Sequence, residues 1–97
     1  MKSFSKETVV EALVRKDYER ESAARVAARL EASDADIREA AWQWLAEGTE
    51  PQMSAEGWSV SRLEKEFRMN AIAALLTIGW LRKEPGKALA ALKEGIK

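Results

Sequence analysis

Cysteine and histidine are both absent from the 97 residues of this chain. Without cysteine there is no disulfide framework, no thiol nucleophile and no thiolate metal site. Without histidine the chain lacks the usual base near neutral pH and the commonest zinc ligand. Because only carboxylates, lysines and hydroxyls are left for chemistry, we expect neither an enzyme nor a protein that holds a metal ion or a cofactor.

The chain also lacks an excess of charge of either sign. Sixteen Lys and Arg residues balance sixteen Asp and Glu residues. This balance provides no overall field to attract phosphates or anionic lipids, so nucleic acid is a disfavoured partner and no membrane partner is expected. The N-terminal residues MKSFSKETVV contain no apolar run after the lysine, unlike a secretory signal. We therefore expect a cytoplasmic protein.

The most apolar stretch, MNAIAALLTIGWL, runs from Met69 to Leu81 and has almost no solvated stripe at helical period. It is too short to cross a bilayer, which requires about 20 residues, so other protein segments have to cover it. The 46% apolar and 33% charged fractions are typical of a folded protein. We predict an all-α fold of five or six short helices around a buried central helix at about residues 70–82.

Glycine, proline and serine residues along the chain predict how these helices are organised. We expect one domain over residues 1–97, with a helical N-terminal part at 5–48, a linker at 49–57 and a second helical part at 58–97. The linker is marked by Gly48, Pro51, Ser54 and Gly57. Inside the second part, GWSV is an alternative short strand, and the segment after Pro85 is predicted to be the last helix.

Apolar periodicity predicts the residues of the core. The predicted set is Leu13, Val26, Leu30, Ile37, Trp44, Leu45, Leu63, Phe67, Ile72, Leu75, Leu76 and Trp80. Trp42 lies off the buried face of its own helix, so it either packs on another element of the chain or belongs to a contact surface.

Residues 34–86 resemble the helix-turn-helix core of small winged-helix domains. IREAAWQWLAEG resembles the first helix, SVSRLEKEF the second and NAIAALLTIGWLRKEPG the third, whose GWLRKE ending is similar to that of one uncharacterised group of such domains. The resemblance implies helix-turn-helix-like geometry in the second half. It departs from the family where a two-stranded wing should follow, because GKALAALKEGIK favours a helix.

Two hypotheses for function follow, and they use different residues. The first is a non-catalytic interaction or adaptor domain that self-associates as a homodimer or binds another protein. Its candidate interface combines Trp42 with the apolar stripe of the first helix, formed by Val9, Val10, Leu13 and Val14. The alternative, implied by the resemblance, is a DNA-binding transcriptional regulator of the winged helix-turn-helix type. Its candidate nucleic-acid contacts are Asn70, Thr77, Arg82 and Lys83.

Overall fold

The computed structural model describes residues 5–95, and in this part it contains six helices and one two-stranded sheet. The helices are α1 (Lys6–Arg15), α2 (Arg20–Glu31), α3 (Ala35–Glu47), α4 (Val60–Phe67), α5 (Ala71–Lys83) and α6 (Pro85–Glu94). The strands are β1 (Ser54–Ala55) and β2 (Trp58–Ser59). The predicted all-α class is confirmed. The chain divides into two compact units, Met1–Thr49 and Glu50–Lys97.

The first unit contains α1, α2 and α3, which pack against one another. The Ser5 hydroxyl caps α1 by accepting a hydrogen bond from the backbone N–H of Thr8 at 3.2 Å. Helix α1 ends at Arg15, and Asp17 turns the chain with φ 73° before α2 begins at Arg20. Gly48 ends α3 with φ 73°, which is the left-handed cap that a glycine at this position favours.

The second unit is built on α5, which contacts α4, α6 and β1. Strands β1 and β2 are antiparallel, with Ala55 paired to Trp58. The turn between them places Glu56 and Gly57 at positive φ, as a two-residue hairpin turn of type I′ requires. The alternative strand at GWSV is therefore confirmed in part, since β2 covers Trp58 and Ser59, and β1 lies within the predicted linker.

Short connections join the helices of the second unit. Helices α4 and α5 are separated by three residues, of which Arg68 adopts φ 57° and Asn70 caps α5. This pair is the helix-turn-helix-like part of the fold. The segment from Pro85 forms α6, so a helix stands where a winged-helix domain would have its wing.

Half of the predicted core is confirmed and half is wrong. Fully buried members are Leu13, Leu30, Ile37, Leu63, Ile72 and Leu75, whereas Val26, Trp44, Leu45, Phe67, Leu76 and Trp80 are only half-buried. The difference arises because small aliphatic side chains fill the interior. Six alanines have no exposed surface, namely Ala23, Ala27, Ala41, Ala71, Ala74 and Ala88. Where alanine faces the interior, helices approach closely and a bulky ring has no space.

Candidate functional site

The aromatic side chains of the described residues lie at the surface rather than in the core. All four tryptophans are half-buried, and so are Tyr18 and Phe67. The largest fully buried side chains, in contrast, are all Leu, Ile or Val. Tryptophan is large and is seldom fully buried in any protein, so partial exposure of one ring is ordinary. The position of all four rings outside an aliphatic core makes these rings the candidate contact residues.

The predicted interface on the first helix is only partly available to a partner. Val9 and Leu13 have 0% exposed surface and belong to the core of the first unit, so they leave the candidate interface. They are buried because the stripe of α1 packs on α2 and α3. Val10, Val14 and Trp42 are half-buried and retain surface.

Trp42 belongs to a defined stripe of α3, which we call the α3 stripe. Its members are Ala35, Glu39, Trp42 and Ala46, spaced four, three and four residues apart so that they form one line along the helix. The other three residues are exposed, and Glu39 supplies the charge of the line. The α3 stripe therefore presents one ring flanked by a carboxylate and a small residue.

A second stripe runs along α5 and is called the α5 stripe. It consists of Ala73, Leu76, Trp80 and Lys83, spaced three, four and three residues apart. Ala73 and Lys83 are exposed, while Leu76 and Trp80 are half-buried. The apolar stretch that contains α5 thus has a partly solvated side, and the expectation of burial all round is wrong along this line.

The ring of Trp80 is fixed by groups at the end of its own helix. Its indole Nε1–H donates a hydrogen bond to Glu84 Oε1 at 3.3 Å. The other carboxylate oxygen of Glu84 lies 3.4 Å from Lys87 Nζ. A ring held in this way loses little rotamer freedom when a partner packs on it.

A third aromatic group joins the hairpin to α4. The rings of Trp58 and Phe67 are 5.5 Å apart at 47°, and the Arg62 guanidinium lies 3.9 Å above the Trp58 ring. Arg62 also donates to Glu66 Oε2 at 2.7 Å and to the Gly57 carbonyl at 3.2 Å. These contacts tie the turn to the helix, and the stack explains how Trp58 and Phe67 contribute to the local fold.

Trp44 makes a similar contact in the first unit. Lys16 Nζ lies 4.8 Å from the centre of its ring. Lys16 is the residue that follows α1, so the contact connects the end of α1 to α3. The two cation–π contacts connect Trp44 and Trp58 to cations of their own units. Trp42 and Trp80 make no such contact among the described residues, so they are the stronger candidates for contact with a partner.

The four predicted nucleic-acid contacts all lie on α5 or at its cap, but they have different surroundings. Asn70 caps α5, its Oδ1 accepting from the Ala73 backbone N–H at 2.8 Å. Thr77 is 9% exposed, and its hydroxyl donates to the Ala73 carbonyl at 2.8 Å, so it is a core residue rather than a contact. Arg82 and Lys83 are exposed in the last turn of α5. The partly solvated line of this helix is the α5 stripe, in which Lys83 is the only one of these four residues.

One carboxyl group in the second unit has a strongly shifted pKa. Burial, a hydrogen bond with Glu50 and the negative charge of Glu50 raise the pKa of Glu64 to about 7. Burial disfavours the charged form, and a second carboxylate nearby adds repulsion. Sequence reasoning missed this pair, because nothing in the spacing of Glu50 and Glu64 indicates that the hairpin brings them together.

No protein-family model, curated protein or solved structure matches this chain. Among the described residues no cluster of three or more potential metal ligands occurs. Within residues 5–95, each helix is too short or too polar to span a bilayer. The candidate surface is therefore inferred only from the positions and contacts of this chain's own residues.

Proposed function

We propose that this protein is a non-catalytic interaction domain that self-associates as a homodimer. The observation that supports the proposal is the position of the four tryptophans, which all keep exposed surface while Leu, Ile, Val and Ala fill the core. Tryptophan contributes more binding energy at protein interfaces than most residues, because it buries a large, rigid ring with few rotatable bonds. The cytoplasmic location stays a prediction from the sequence.

Charge and symmetry make a second copy a suitable partner. The formal net charge of zero leaves little long-range repulsion between copies. Closed two-fold dimers are the commonest oligomers of soluble proteins. Binding to a different protein through the same rings is the alternative within this class.

The mass of the protein in solution tests self-association. Multi-angle light scattering should give twice the 10.9 kDa chain mass at high micromolar concentration, falling toward the chain mass on dilution. Trp42→Ala should weaken association more than it lowers the free energy of unfolding. A mass of 10.9 kDa at all concentrations would remove the homodimer.

The DNA-binding alternative rests on the α4–α5 pair and on the exposed Arg82 and Lys83. Phosphate contacts dominate non-specific DNA binding and make it steeply dependent on salt. Titration of random duplex DNA at low and high salt separates the two functions. Micromolar affinity that falls steeply with salt would favour the regulator, whereas the interaction domain should show no such binding.

A further inference from the structure

Charge is distributed unequally between the two units. Residues 1–49 contain ten acidic and eight basic residues, a net charge of −2. Residues 50–97 contain six acidic and eight basic residues, a net charge of +2. The neutral total is thus the sum of a slightly acidic unit and a slightly basic unit. Opposite charges favour a contact in which the first unit of one copy meets the second unit of another.

The α3 and α5 stripes lie on helices of equal length and have charged residues of opposite sign. Both α3 and α5 have 13 residues, which corresponds to about 20 Å. Each stripe has a half-buried tryptophan and one exposed charged residue, which is Glu39 on α3 and Lys83 on α5. The charges are opposite in sign, and each lies three residues from its tryptophan.

The order of the residues along each stripe sets the direction in which the helices match. On α3, Glu39 precedes Trp42 by three residues and Ala46 follows Trp42 by four residues. On α5 the order is reversed, since Leu76 precedes Trp80 by four residues and Lys83 follows it by three. Only an antiparallel pairing of the two helices brings the whole set into register.

We infer that α3 of one copy packs antiparallel on α5 of a second copy, so that Glu39 faces Lys83, Trp42 faces Trp80 and Ala46 faces Leu76. Each pair is complementary: an ion pair, two aromatic rings, and a small residue against a larger aliphatic one. In a two-fold dimer the contact forms twice, once in each direction. This inference rests on the proposed self-association and names its surface.

Several features of the α5 stripe suit it to receive another helix. Gly79 lies beside the stripe between Leu76 and Trp80 and has no side chain, which allows close approach. The hydrogen bond from Trp80 to Glu84 favours one orientation of the ring before binding. Fixed side chains reduce the entropy lost on association.

Charge exchange tests the pairing directly. Glu39→Lys and Lys83→Glu should each weaken the dimer about tenfold, because each replaces two attractive pairs per dimer with two repulsive ones. The double variant Glu39→Lys/Lys83→Glu restores opposite charges across the contact. Its dissociation constant should return to within about threefold of the starting value. Sedimentation over a concentration series gives these constants.

Two matched variants control for net charge. Glu47→Lys and Lys93→Glu make the same changes at exposed residues outside both stripes and should leave the dissociation constant unchanged. Circular dichroism checks that every variant keeps its helices. All four positions are exposed, so the substitutions leave the core unchanged, and either single variant serves if the other loses its helices.

The outcomes separate this inference from the broader proposal. A dimer that is insensitive to both charge reversals, or is not restored by the double variant, overturns the α3–α5 pairing while leaving self-association in place. A protein that remains monomeric at every concentration overturns both. Rescue by the double variant, with unchanged controls, supports the pairing in the stated register.

Discussion

Leu75 and Leu76 are adjacent on α5 but have different surroundings, and this contrast gives a direct test of the fold. Leu75 has 0% exposed surface, whereas Leu76 is half-buried. Replacing a fully buried leucine by alanine removes transfer energy and leaves a cavity, at a cost of 2–5 kcal/mol. We expect Leu75→Ala to lower the free energy of unfolding by about 3 kcal/mol and Leu76→Ala by about 1 kcal/mol.

Thermal and urea unfolding followed by circular dichroism measure both losses. For a chain of this size each kcal/mol corresponds to a shift in Tm of about 4–8 °C, so Leu75→Ala should lower Tm by roughly 12 °C or more. Both variants are compared at two protein concentrations, because Leu76 also lies on the α5 stripe and a dimer would add a concentration-dependent part. Equal losses, or a greater loss for Leu76→Ala, would refute the orientation of α5.

Three further substitutions test local features of the structure. Asn70→Ala removes the hydrogen bond to the Ala73 N–H and should cost about 1 kcal/mol in urea unfolding; an unchanged midpoint would contradict the cap. Gly48→Ala places a Cβ at φ 73° and should cost about 1 kcal/mol, whereas a gain in stability would show that the left-handed conformation is wrong. The pKa of Glu64 is raised from 4.5 to about 7 in the folded state, so the contribution of this carboxyl to stability is fully present below pH 4.5 and is lost as pH rises through 7. Glu64→Gln should remove this loss of stability between pH 4.5 and 7, which we place at about 1 kcal/mol after allowing for solvent screening. If the free energy of unfolding of the variant depends on pH as that of the unmodified protein does, the assignment to Glu64 is contradicted.

The sequence predicted the helices well because their signals are local. Asn70, Gly48 and Pro85 stand at helix boundaries where their side chains or backbone preferences act on residues within one turn. The predicted α5 differs from the observed helix by about one residue at each end, which is the ordinary uncertainty of helix ends. The predicted helix after Pro85 is also confirmed, as α6.

The degree of burial was harder to predict, because it depends on packing between elements distant in sequence. Trp44 and Trp80 lie on apolar faces, so hydrophobicity predicts both in the core, but smaller aliphatic side chains, six alanines among them, fill the core instead. The alternative function predicts Thr77 as a nucleic-acid contact, but its hydroxyl donates to the Ala73 carbonyl and its side chain is buried. The sequence could identify Trp42 as a surface candidate only because its angle on α3 differs from that of Ile37 and Ala41.

The six fully buried alanines also determine which substitutions this protein can accept over evolutionary time. A buried leucine or isoleucine can exchange for another aliphatic residue of similar volume with small loss, whereas adding even one or two methyl groups at a packed alanine forces helices apart and costs about 1–3 kcal/mol. Distant relatives should therefore diverge freely in their large aliphatic residues but keep glycine, alanine or serine at these sites. The spacing of Ala23 and Ala27, and of Ala71 and Ala74, would then be a better mark of common descent than any of the larger side chains.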